Sequence, residues 1–154
     1  MTVKDRDLGG HLCVGEGAEL VLQRCTVRET SGRTAVAVFC AAVVQDCIIQ
    51  DCPEAYGIQV DGVATITSTT TRRCMYGIDV TGKATIVSGC SITDCTRSGI
   101  VAFKDEEGPG EANVAGADLV CKGHNAANDE LEGNFVCMQG GTIKGIAEEN
   151  IVTC

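Results

Sequence analysis

The chain has 154 residues, with 12 Lys plus Arg against 21 Asp plus Glu and a formal net charge of −9. That balance excludes a general nucleic-acid binder, which needs a basic face, and works against docking on anionic lipid. Aromatic residues make up 3% with no Trp, so base- or sugar-stacking platforms have little material, while 19 Gly against 2 Pro point to many tight turns between short strands.

The length suits one domain, 1–154, with a real core. Residues 1–11 are polar and charged, without the apolar run of a secretory leader, and are expected as a lead-in. No stretch approaches the ~18 apolar residues of a membrane-spanning helix. Eleven cysteines in a chain without a leader are expected as reduced thiols. The expected location is therefore an intracellular, reducing compartment, with no membrane insertion.

From residue 12 a template repeats. Its first element is an apolar-x-apolar pair: Leu12/Val14, Val36/Val38, Ile58/Val60, Ile78/Val80 and Ile100/Ala102, at intervals of 24, 22, 20 and 22. A small-x-branched pair follows after a short turn: Leu20/Leu22, Ala42/Val44, Ala64/Ile66 and Ala84/Ile86. The third element opens on Cys or Thr at Cys25, Cys47, Thr69 and Cys90, and a corner residue follows at Thr30, Cys52, Cys74 and Cys95. Every element alternates apolar with polar, which is strand periodicity. Three short strands per ~22 residues make about one turn of a solenoid, and no turn buries its inner face unless it stacks on others.

After Phe103 the pattern breaks. Residues 104–116, KDEEGPGEANVAG, read as an acidic, glycine-rich loop. Residues 116–123 are expected to resume a second-strand position, with Ala117 and Leu119 inward, and 124–134 to make another excursion. Residues 135–154 read as a last, degenerate coil.

The strings YGIQVDGVATI (56–66) and YGIDVTGKATI (76–86), each followed by Cys or Thr, carry a resemblance. Over residues 12–103 the chain resembles the right-handed parallel β-helix superfamily, as in pectate-lyase-like proteins and the β-helical domains of some F-box and carbohydrate-processing proteins. The resemblance implies an all-β solenoid of about five to six coils of 20–24 residues, with regular coils over 12–103 and loop-rich terminal coils over 104–154. It is nearly silent on function, because the same coils serve lyases, hydrolases, epimerases and inert spacers.

Stacking the coils places Cys25, Cys47, Thr69 and Cys90 in one column and Thr30, Cys52, Cys74 and Cys95 in another. Cys and Thr exchange in both, which argues against metal ligation and for small, semi-polar corner positions lined by free thiols. Disulfides between neighbouring coils remain the alternative: strands ~4.8 Å apart are within reach, but parallel side chains start from a poor dihedral. No metal and no cofactor is expected.

The outward face of the apolar-x-apolar strands is the expected site. Ala37, Gln59, Asp79 and Val101 form one column; Phe39, Asp61, Thr81 and Phe103 form the next. Asp61 and Asp79 are diagonal neighbours about 8 Å apart, the spacing of an inverting acid–base pair. They are weak catalytic candidates. Polygalacturonase-like sites use Asp-Asp and His-Gly, which this chain lacks, and the Tyr-Gly-Phe-Asp-Pro-His motif of alginate epimerases finds Val80 and Thr81 in place of its Pro-His. Phe39, Gln59, Thr81, Val101 and Phe103, with Tyr56 and Tyr76 stacked at one corner, are the candidate binding residues. Asp51, Arg73 and Asp94 form a surface charge ladder.

The expected role is a non-catalytic scaffold or protein-interaction module, a subunit or section of a larger assembly, with a protein partner that covers an open solenoid end or docks on this face. The alternative is a polysaccharide-active enzyme or carbohydrate-binding module.

Overall fold

Period-two alternation turns each short segment into a strand, and every strand finds its partner one coil away. The computed structural model describes residues 1–15, 17–28, 30, 32–87, 89–115, 120–123, 136–146, 148 and 151–153. The first coil holds β1 (Thr2–Lys4), β2 (Asp7–Gly9) and β3 (Leu12–Val14). The second holds β4 (Glu19–Gln23), β5 (Thr26–Arg28) and β6 (Thr34–Val38). In the third, β7 (Ala41–Gln45) precedes the long β8 (Ile48–Val60); in the fourth, β9 (Val63–Thr67) precedes β10 (Thr70–Val80). The fifth holds β11 (Lys83–Val87), β12 (Ser91–Cys95) and β13 (Ser98–Phe103). Beyond it come β14 (Glu111–Ala115), β15 (Val120–Gly123), β16 (Val136–Gln139), β17 (Thr142–Lys144) and β18 (Ile151–Thr153).

All strand pairs are parallel and form three ladders. The first is β1-β4-β7-β9-β11-β14-β17. The second and third are joined into one sheet because β8 and β10 each run through the corner between them. Register follows the repeat: Ala64 pairs with Ala42 and Ala84, and Ile78 with Ile58 and Ile100. The core is a stack of such rungs, with Leu22, Val44, Ile66 and Ile86 on one side and Val27, Ile49 and Ile92 on another, all fully buried. Each such side chain contributes roughly 1.5–3 kcal/mol over exposure.

Four coils, residues 19–103, are regular, fewer than the five to six expected. Residues 1–11 are not a plain lead-in: β1 and β2 pair with β4 and β5 as rungs of the first two ladders. The expected loop at 104–116 is shorter than the composition suggested. Lys104 bridges Pro109, and the chain re-enters the first ladder as β14, with Ala112 and Val114 inward beside Ala84 and Ile86. The second-strand position is thus taken by 111–115. Val120–Gly123 instead extends the next ladder beside β12. Ala117, Leu119 and residues 124–134 lie outside the described residues.

Two columns of left-handed residues make two of the corners. Asp5, Arg24, Asp46 and Ser68 have φ of 53°, 51°, 53° and 47°; Asp51, Arg73 and Asp94 have 60°, 53° and 56°. Asp tolerates this region better than most residues. Where the third ladder ends, glycine is needed for a different reason. A Cβ on Gly82 would lie 2.2 Å from the Gly62 carbonyl oxygen of the coil before.

Candidate functional site

The cysteines follow directly from the corners. Each buried one comes one residue after a left-handed position, where the chain bends and leaves a carbonyl pointing at the inner corner. The Sγ atoms of Cys25 and Cys47 donate to the carbonyls of Gln23 and Gln45 at 3.3 and 3.1 Å. Thr69 does the same to Thr67 at 2.9 Å. In the other column Cys52 donates to Gln50 at 3.2 Å and Cys74 to Arg72 at 3.5 Å. Cys and Thr alternate because both bring a small side chain with a donor. Cys52 and Cys74 are paired in register, and these four cysteines, with Cys90 and Cys95, are buried. Thr30 does not join them: β5 ends at Arg28, and the Thr30 hydroxyl accepts from the Gly32 amide instead.

The described cysteines are thiols and form no disulfide. Burial pushes Cys47 and Cys90 up, and pushes Cys95 to about 11. Cys74 is raised by its hydrogen bond with Cys52 and by burial. Such thiols are poor nucleophiles. Among the described residues no cluster of three or more ligating side chains is placed to hold a metal ion. Of the expected charge ladder, Arg73 meets Asp51 at 2.6 Å while Asp94 acts on Arg73 only through its charge, and a matching pair joins Arg24 to Asp5 at 2.6 Å. Both pairs are exposed, so each contributes about 0–1 kcal/mol.

On the outer face of the third ladder the predicted residues converge. Gln59 and Asp79 are direct partners on adjacent coils, and Val101 follows on the next. The Thr34 hydroxyl donates to Gln59 Oε1 at 2.8 Å, and Gln59 Nε2 donates to Asp61 Oδ2 at 3.1 Å. The Thr81 hydroxyl also donates to Asp61. At the corner, Tyr56 and Tyr76 stack with centroids 5.1 Å apart. Arg97 lies over Tyr76, 5.9 Å from its centroid.

Two expectations change here. Val101, expected as an exposed apolar residue, is only 1% accessible, yet it stands apart from the interior cluster. Asp79, expected on the outward face as a weak catalytic candidate, is 4% accessible. The rings of Tyr76 and Phe103 meet edge to face, with centroids 6.4 Å apart. Asp79 Oδ1 is buried and has no hydrogen-bond partner. Burial first, and then the charge of Asp61, raise its carboxyl to about 7, with Arg33 pulling the other way. Phe39 stays open at the edge of this face, 44% accessible.

The family described as the right-handed β-helix region matches residues 36–108, which carry Gln59, Asp61, Asp79 and Val101. That stretch is a right-handed parallel β-helix, and the described strands on either side continue the same parallel ladders. No curated protein and no solved structure gives a significant match. In this β-helix, as the repeat implied, the inside is uniform and individual chemistry sits on the outside. A second outer surface escaped the sequence reading. On the first ladder Val21, Ala41, Val43 and Val63 line a shallow depression of ≈ 250 Å³. Its signal was present in the outward valines of β4, β7 and β9. Among the described residues no helix is long and apolar enough to cross a membrane.

Proposed function

We propose that the chain is a non-catalytic, rigid protein-interaction module, a subunit or section of a larger assembly, that docks a partner through the outer face of its third ladder. The observation that carries this reading is the convergence of Tyr56, Tyr76 and Phe103 with Gln59, Asp61 and Thr81 on one face of a stiff stack. Aromatic side chains with satisfied polar neighbours are the composition of a docking surface. The polar groups hold one another, so the face is preorganised and loses little entropy on binding.

A polysaccharide-active reading draws on one feature, a carboxyl titrating at about 7 beside a second carboxyl. Against it stands the burial of Asp79, whose 4% exposure leaves little surface for a sugar ring to meet.

Two measurements test the proposal. A photo-crosslinking residue at Phe39 should give a discrete protein adduct in the native extract, and one at Thr85, on the first ladder, should not. Adducts of equal yield from both positions, or none from Phe39, would contradict docking here. The purified chain should also release no product from polygalacturonate or alginate. Turnover abolished by Asp79→Asn would overturn the non-catalytic reading.

A further inference from the structure

We infer that this face takes a cationic side chain from a basic segment of a protein partner, seating its lysine ammonium or arginine guanidinium against Asp79 and Asp61. The inference rests on the docking role proposed above and names the chemistry of its anchor.

The starting point is an incomplete account of hydrogen bonds. Asp79 Oδ1 is buried and unpartnered, although donors surround it. Those donors are already committed. Thr34 gives its proton to Gln59, and Gln59 and Thr81 give theirs to Asp61. On the strands that flank Asp79, Gln59 stands on one side and the apolar Val101 on the other. Arg33 acts on Asp79 electrostatically without a hydrogen bond to it. Arg97 is engaged with the Tyr76 ring and hydroxyl. A donor from outside completes the account, because a buried carboxylate oxygen left bare is costly.

Two features select a cation over a neutral donor. Asp61 adds a second carboxyl to the field at Asp79, so a positive charge gains from both. Past Lys104, which follows Phe103, the turn carries Asp105, Glu106 and Glu107, all exposed, on a chain of net charge −9. Such a field steers basic segments to this rim.

The test uses the isotopically labelled full chain and three blocked pentapeptides, each with a single central lysine, arginine or norleucine between glycines. The lysine and arginine peptides should produce saturable amide shifts at Asp79, Val101 and Phe103, and the norleucine peptide none. Asp79→Asn should weaken binding by about tenfold or more, the loss of one charge-assisted hydrogen bond. Because the bound form needs ionised Asp79, affinity in the unaltered chain should rise between about pH 5.5 and about pH 8. Equal shifts from the norleucine peptide, lysine binding untouched by Asp79→Asn, shifts confined to residues 105–107, or a flat pH profile would each overturn the inference. The pH profile needs no variant, so a misfolded Asp79→Asn does not blunt the test. Crosslinks at Phe39 without lysine binding at Asp79 would sink the cationic anchor alone. Lysine binding without crosslinks would sink the docking role and leave the anchor standing.

Discussion

Thr71 stands in a column of isoleucines, paired with Ile49 and Ile92, and its Oγ1 is buried without a partner. Valine has nearly the same shape without the hydroxyl. Thr71→Val should therefore stabilise the protein by about 1 kcal/mol, read as a higher urea midpoint at unchanged slope. A lower midpoint would mean that the hydroxyl has found a partner. Asp79 gives a pH-dependent counterpart. Its folded carboxyl is raised to about 7 from an ordinary value of 3.8. The folded chain thus keeps a proton that the unfolded chain has released. Asp79's contribution to stability is present in full below pH 4 and is lost as pH rises through 7. Relative to Asp79→Asn, the wild type should lose on the order of 3–4 kcal/mol across that window. Urea midpoints of both proteins at either end check this, and a constant difference between them would contradict it. The alternation at 78–80 showed that Asp79 faces outward. It did not show that Asp79 is buried, because its surroundings are set across coils.

At the level of elements, the ladders depend on close approach at the turns. Gly82 leaves the third ladder with its α-carbon against the Gly62 carbonyl, and backbone at 2.2 Å cannot swing away as a side chain can. Gly82→Ala should cost about 1–3 kcal/mol, seen as a lower melting temperature. An unchanged melting temperature would show that the corner can widen. The strand positions were legible because inward residues recur at i and i+2. The corners were only half legible. Asp-Cys was visible as a recurring pair, but its meaning needed the left-handed φ at Asp46, Asp51 and Asp94 and the thiol of the next residue folding back to a carbonyl. β14 was missed because its alternating Ala112 and Val114 are flanked by a glycine-rich, acidic stretch that reads as a loop by composition.

At the scale of the whole molecule, the stack protects its thiols. Cys25, Cys47, Cys52, Cys74, Cys90 and Cys95 are at most 2% accessible, whereas Cys13 is exposed and Cys40 half-buried. In the native protein a thiol reagent should modify Cys13 and Cys40 quickly and these six buried thiols only as coils open, as read by mass spectrometry of the labelled peptides. Fast labelling of those six would mean that the coils do not stack as described. The sequence by itself determined the parallel coil, its three-strand repeat and its column of inward thiols, because a solenoid writes its contacts locally and repeats them every turn. Only the tertiary structure decided that Val101 and Asp79 are buried, that Thr30 leaves the ladder and that one carboxylate oxygen waits for a donor. Each of these depends on side chains from different coils meeting outside the repeat, where no periodicity records them.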